Sequence, residues 1–463
     1  MCAYMQGQEE KVAEEGQNGK KAAHTDMQEE AEGDEGIRKS LHNIFQWKNY
    51  RIYLATYTVF SAFGILSRFT NLYLREIGWS FILLGIVITI TSTVATLSRF
   101  IGGYIGDIMD RKNLAVIAAA MLSVYYLLIG ISTEFIVILV GLLIYSLVDL
   151  ARGGSSAYIM DNMPEDNSGL ALSLFTALQV VGVGTLVVLS FLVSEIGFGN
   201  SMRRLFAAAG IGLFVSALVR AKYLESSGHK QTSEHSSLIK GFIKDNKRAA
   251  KLVVITLPAV LVITVLDSFS DSLFNFGALI YTNEWLGVSI QGISIMLIVQ
   301  LLVSVPLLLK MGQVADRSLK KAAIGVYSLM PISVLLLLLS EVIPYWAPTN
   351  VISSVSSILP VFQVVFSTPF LAIVLKYVSD AVWGLMLMTI IQKLMPRKDT
   401  SKVLGVFWTI VYVSNSLGPL LGGFLFTYLH PTILFILVLV LNIGILASIS
   451  RNGLFVKRGV TKQ

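Results

Sequence analysis

Seven charged side chains lie inside otherwise apolar stretches of this sequence: Arg68, Asp149, Arg152, Asp267, Asp271, Lys376 and Asp380. A charge at the centre of a membrane-spanning helix costs roughly 2.5–3.5 kcal/mol on insertion scales, so each one must pair, face water or act. The chemistry open to this set is ion pairing and proton transfer. Asp149 and Arg152 are three residues apart and Lys376 and Asp380 four, so each pair can neutralise itself along one helix face. Asp267 and Asp271 have no such option. They are like charges one turn apart, a spacing suited to sharing a proton, which makes their stretch the candidate for proton coupling.

Other chemistry is poorly supplied. There is no Gly-x-x-x-x-Gly-Lys-(Ser/Thr) phosphate loop, no His-Glu-x-x-His pair and no Gly-x-Ser-x-Gly elbow. The five histidines fall in tails or loops, and a lone Cys2 excludes a disulfide within the chain and a cysteine-based metal site. Neither an enzyme nor a bound cofactor or metal is expected.

The elements that must position these charges are helices in lipid. The chain has 463 residues, 54% hydrophobic and only 14% charged, with a mean hydropathy of +0.70; soluble proteins carry about 25% charged residues. From Tyr50 onward, apolar stretches of about 20 residues recur, each able to cross a hydrocarbon core of roughly 30 Å. Twelve are legible, over 51–75, 80–105, 113–132, 135–160, 169–195, 205–221, 252–282, 289–311, 321–340, 362–391, 402–428 and 431–450. The interior charges then fall on spans one, four, seven and ten. Arg99, near the end of span two, is expected to snorkel to the headgroups.

Basic residues are retained in short cytoplasmic loops. With the amino end inside, the inner loops collect Arg111, Lys112, Lys247, Arg248, Lys320, Lys321, Arg397 and Lys398, while the outer loops hold Arg75, Arg203 and Arg204. Both termini are therefore expected in the cytoplasm. Residues 1–45 read as a disordered acidic tail, 46–221 as one six-helix half, 222–251 as a cytoplasmic linker, 252–451 as a second half and 452–463 as a tail. The formal +7 thus sets topology; nucleic acid is not an expected partner.

An internal repeat supports the division. Gly103-Tyr-Ile-Gly-Asp107-Ile-Met-Asp-Arg111-Lys112 after span two returns after span eight as Gly312-Gln-Val-Ala-Asp316-Arg317-Ser-Leu-Lys320-Lys321. Asp149-Leu-Ala-Arg152-Gly153 is likewise echoed by Asp380-Ala-Val-Trp383-Gly384. The offsets of the two repeats differ, so an insertion lies between spans nine and ten. The motif resembles the loop signature of the major facilitator superfamily, Gly-x-x-x-Asp-(Arg/Lys)-x-Gly-x-(Arg/Lys)-(Arg/Lys), with Ile108, Asp110 and Leu319 as departures.

This resemblance covers roughly residues 45 to 455. It implies an all-α integral membrane protein whose twelve transmembrane helices form two six-helix halves related by a pseudo-two-fold axis, with spans one, four, seven and ten around a central cavity. It implies a secondary active transporter in the plasma membrane, moving a small organic solute by alternating access, coupled to protons. The alternatives are an antiporter expelling drugs or toxic compounds, and a transporter-like receptor that moves nothing. The efflux signature of the family, Gly-Pro in span five, is absent; Gly418-Pro419 stands on span eleven instead. A monomer surrounded by lipid is expected.

On that frame Asp107 and Asp316 become conformational switches with their neighbouring Gly103, Arg111, Lys112, Gly312, Arg317, Lys320 and Lys321. Arg68 is expected to pair with Asp271 or Asp267 as an outer gate, and cross-pairs Arg152 to Asp380 and Lys376 to Asp149 to close the inner one. Gln179, Asn275, Phe276 and Gln300 are candidate cavity lining.

Overall fold

The structure is a computed structural model that describes residues 40–163, 168–226, 247–248, 250–255, 257–394 and 400–451. Among the described residues eleven helices are long and apolar enough to cross a membrane, and a bent pair makes a twelfth span. The first half comprises α1 (Lys48–Glu76), α2 (Phe81–Ile108), α3 (Arg111–Ile131), the bent α4 (Phe135–Leu147 and Asp149–Asp161), α5 (Ser168–Ala177 continuing through Gly182–Ile196) and α6 (Phe198–Tyr223). The second comprises α7 (Pro258–Trp285), α8 (Ile290–Leu308), α9 (Lys320–Leu339), α10 (Thr368–Leu394), α11 (Thr400–Tyr428) and α12 (Pro431–Ser450).

Local signals explain several boundaries. Pro258 opens α7 at its first turn, where the missing N–H costs nothing, so the helix begins six residues later than the hydropathy suggests. Arg203 and Arg204, expected in an outer loop, lie inside α6, which starts at Phe198; Arg203 Nη2 donates to the Ile131 carbonyl at 3.1 Å. The insertion between α9 and α10 forms a short helix Thr349–Ile358 and a 3-10 turn Pro360–Phe366, so α10 starts at Thr368 and not at 362. Helical backbone continues from Ile290 to Leu339. Straight, it would span about 75 Å. Leu297 of α8 and Val334 of α9 nevertheless share one apolar cluster, so the chain reverses between them.

The distribution of the core separates the two ends of the bundle. At the end carrying Arg75 and Glu284, one cluster runs through both halves, from Leu66 and Tyr73 to Leu279 and Phe435. At the Lys48 end each half has its own: Tyr50, Tyr158 and Leu224 in the first, Val253, Tyr327 and Phe407 in the second. The halves are sealed at one end only.

The seal is tightest between α2 and α11. A Cβ on Gly85 would lie 2.5 Å from the Pro419 carbonyl oxygen and 3.1 Å from Gly423 Cα, backbone atoms that cannot yield. Gly184 faces nothing within 4 Å. Gly85→Ala is therefore expected to lower stability by about 1–3 kcal/mol, as overpacking does, whereas Gly184→Ala, which removes a flexible helical glycine, should be neutral or stabilising. Thermal unfolding of the two purified variants checks the contrast.

Candidate functional site

The interior charges form two networks, one in each half. In the second, Lys376 on α10 is fully buried, with Nζ 2.7 Å from Asp271 Oδ1 on α7 and also bonded to Asp380 one turn along its own helix. One turn before Asp271, buried Asp267 accepts from the Tyr327 hydroxyl of α9 at 2.8 Å and from Trp383 Nε1 of α10 at 2.7 Å. Tyr327 is also 3.4 Å from Asn442 Oδ1 on α12, which accepts from Ser270 at 2.9 Å. Four helices thus converge on one polar cluster inside an apolar core.

Burying an ion carries an effective penalty of several kcal/mol, which good geometry with several partners can offset. One ammonium here faces two carboxylates, and Asp267 receives only neutral donors. Within the hydrogen-bonded cluster three carboxylates share the one ammonium among the described residues, with Arg68 at its edge, over the Tyr377 ring.

In the first half, α4 bends by 41° just before Asp149. Asp149 is buried and takes Arg99 Nη2 of α2 at 2.6 Å, with Arg152 Nη1 at 2.9 Å. Gly102 allows this approach: a Cβ there would come within 2.6 Å of the Asp149 carbonyl oxygen. Nearby, buried Arg220 of α6 donates through Nε to Thr56 Oγ1 at 2.8 Å and through Nη1 to the Ala115 carbonyl at 3.1 Å, and stacks on the Tyr53 ring at 4.1 Å.

Between the halves lies a cavity of about 270 Å³, lined by Ser67, Arg68, Asn71 and Ser92 on one side and by Ser272, Asn275, Phe276, Tyr377 and Asn415 on the other. Its ceiling is the sealed end. There Arg75 grips Glu284 through Nε and Nη2, both at 3.0 Å, and its guanidinium lies 3.6 Å from the centre of the Phe81 ring. Asn71 donates to the Phe276 carbonyl at 3.3 Å.

Several expected pairings are corrected. Arg68 does not meet Asp267 or Asp271; it reaches Asn275 Oδ1 at 3.4 Å and stacks over Tyr377 at 4.4 Å, while Lys376 is the cation that pairs with Asp271. The cross-pairs Arg152 to Asp380 and Lys376 to Asp149 are replaced by pairs along each helix, reinforced from α2 and α7. Arg99 does not simply snorkel; it neutralises Asp149 and lies 4.0 Å over the Tyr412 ring of the other half. Asn275 and Phe276 do line the cavity between the halves, whereas Gln300 is buried and bonds Ser304 on its own helix, and exposed Gln179 lies on a 3-10 turn of α5.

The repeated loop is described in part. The side chains of Gly103, Asp107, Gly312, Asp316 and Arg317 lie outside the described residues. Arg111 ties to Asp161 at the end of α4 at 2.5 Å, and Asp110, the departure from the motif, caps α3 by accepting from the Lys112 amide at 3.0 Å. Lys320 is half-buried and Lys321 exposed. Sequence reasoning missed Arg220, which lies one residue from the end of its apolar stretch and reads as part of the basic rim. It also missed Glu284, Tyr327 and Trp383; Trp383 had a signal in the repeated Asp380-Ala-Val-Trp383-Gly384.

The sequence model of the Major Facilitator Superfamily matches residues 9–186 and 52–388. The chain belongs to the major facilitator superfamily. Among solved superfamily-like structures, a POT family transporter in complex with 5-aminolevulinic acid superposes with a TM-score of 0.63 at 12% identity, covering 89% of this chain and 96% of that one. A D-xylose–proton symporter gives 0.59 at 14% identity over 88% and 97%, and the nucleoside transporter NupG 0.59 at 12% over 87% and 98%. At such identities the likeness establishes the shared fold. No curated protein sequence matches the chain.

Removing one partner of a buried ion pair is strongly destabilising, by about 3–5 kcal/mol, because it strands the other charge. Lys376→Met should cost about that much, and the triple variant Lys376→Met, Asp271→Asn, Asp380→Asn should recover most of the loss. Equal melting temperatures for the single and triple variants would show that the pairing does not hold this cluster together.

Proposed function

We propose that this major facilitator is a secondary active transporter of a small organic solute, working by alternating access and coupled to protons through Asp267, Asp271 and Asp380. It would reside in the plasma membrane, with the Lys48 end and both termini on the cytoplasmic side. The basic residues gathered at that end, including Arg51, Arg111, Lys251 and Lys321, support this orientation.

The observation that carries the reading is the asymmetry of the seal. One apolar cluster bridges the halves at the Arg75 end, while separate clusters serve them at the Lys48 end, with a polar cavity beneath the bridge. A carrier needs a second arrangement of similar energy. The gate is suited to that: it is closed by the single, partly exposed Arg75–Glu284 pair, which water can replace as it parts and which differential solute binding can bias.

Proton coupling is supported by the carboxylate excess around Lys376. A proton delivered to this cluster changes the net charge across α7, α9 and α10 at once, because those helices share its hydrogen bonds. Relatives of the same fold include a proton symporter for D-xylose. The solute class is argued from this chain's own residues below.

Alternation is tested with a single reporter. Ser67 is exposed in the cavity between the halves, and the sole native cysteine, Cys2, can be removed. A Ser67→Cys variant should be labelled slowly by impermeant thiol reagent from the outer face. Adding Arg75→Glu should raise that rate several-fold, and adding Glu284→Arg to the pair should lower it again. Identical rates in all three contradict a gate at this position.

A further inference from the structure

We propose that a second cavity, inside the α1–α6 half, receives the anionic group of the transported solute, a carboxylate or a phosphate. Arg220 grips it at the floor and Arg152 at the mouth. This rests on the transport reading above and names the class of its substrate.

The cavity measures about 390 Å³, and its lining includes Tyr53, Tyr57, Tyr145, Arg152, Ser155 and Arg220. Small-molecule pockets start near about 300 Å³, so a solute of modest size fits. The mouth and floor differ in exposure: Tyr57 and Arg152 are half-buried and Ser156 exposed, whereas Tyr53, Ser155, Ser216 and Arg220 are buried. The lining combines hydroxyls and two guanidinium groups with an apolar side that includes Phe60, Leu122, Val148 and Leu213. The Tyr53 hydroxyl and Ser155 Oγ lie 2.6 Å apart, so this wall is already ordered before anything binds.

Arg220 is the decisive residue. Lys376, the other buried cation among the described residues, has two carboxylates; Arg220 has none within ion-pair distance among them. Its partners are a threonine hydroxyl, a backbone carbonyl and the face of a tyrosine ring. Those bonds engage Nε and Nη1, and the Tyr53 side chain is a further hydrogen-bond partner; a guanidinium carries more N–H donors than these contacts use, beside the cavity that Arg220 lines. A planar guanidinium with donors to spare matches the two oxygens of a carboxylate or phosphate. A buried charge with only neutral partners is costly, and an incoming anion removes that cost.

The surroundings carry the same sign. Arg99 and Arg152 share the single carboxylate of Asp149, so with Arg220 this interior holds three cations against one acid. The facing half has the reverse, Asp267, Asp271 and Asp380 against Lys376. An anion bound in the basic half and protons bound in the acidic half compensate each other, which suits co-transport of an anionic solute with protons in which little net charge crosses the membrane.

The test uses the purified full-length protein in detergent. Its thermal unfolding is followed in sodium phosphate and in sodium acetate, against sodium chloride and tetramethylammonium chloride at matched ionic strength. A bound anion stabilises the folded state, so phosphate or acetate should raise the Tm saturably while the chloride salts do not. Arg220→Gln should raise the half-saturating concentration at least about tenfold, the scale of a lost charge-assisted bond, with Arg220→Lys in between. Ser156→Trp, at the exposed mouth, should block the same response and serves if Arg220→Gln does not fold. Equal shifts in every salt, or an unchanged half-saturation in both variants, overturn the proposal. So does stabilisation seen only in phosphatidylglycerol vesicles, which would assign the pocket to a lipid headgroup. Gated Ser67→Cys labelling with no anion response sinks the anion pocket and leaves alternating access standing; a saturable anion response without gated labelling keeps the pocket and removes the transport reading.

Discussion

Lys376 sits in an apolar core with no exposed surface, and the rest of the second half is arranged around the need to compensate it. Asp271 must come from α7 and Asp380 from one turn along α10, which fixes how those helices face each other. Asp267, one turn earlier, then points at α9 and α10, where Tyr327 and Trp383 supply donors. Tyr327 extends the network to Asn442 on α12. A change of charge on one carboxylate is therefore felt by four helices, and a cluster that is locally electrostatic becomes mechanically global.

The first half solves the same physical problem with the opposite sign. Asp149 at the bend of α4 answers Arg99 and Arg152, and the close approach at Gly102 brings α2 near enough to take part. Arg220 is left with neutral partners. Where the halves touch, glycines let backbones meet at Gly85 and Gly423, and a partly exposed ion pair closes the end. Among the described residues the interior charges pair within each half, and the ion pair that joins the halves is the partly exposed Arg75–Glu284. That division suits two rigid bodies that rock.

Much of this was legible in the sequence, for a definite reason. Hydropathy over 20 residues reports a requirement of the bilayer, so the twelve spans, the two halves and the interior charges on spans one, four, seven and ten could be read directly. Spacing also identified the pairs along one helix, Asp149 with Arg152 and Lys376 with Asp380. Partners across helices were not legible, because hydropathy says nothing of how a helix is rotated about its axis. Arg68 was assigned to Asp271 or Asp267 on depth, yet depth does not reveal that Lys376 is the cation that reaches Asp271. Arg220 was hidden for a different reason: an arginine near a span end resembles a retention charge, and only the tertiary packing of Tyr53 and Thr56 around it distinguishes a buried one.

The central claim is that two arrangements of the halves interconvert and that protons on the α7 and α10 carboxylates bias them. The distance between spin labels on exposed Lys222→Cys and Lys321→Cys, one in each half at the open end, measures this directly by pulsed electron resonance in proteoliposomes. The account predicts a long and a short distance whose proportions change between acidic and alkaline buffer, and a loss of that response in Asp267→Asn combined with Asp271→Asn. A single distance, unchanged by pH and by these substitutions, would contradict it.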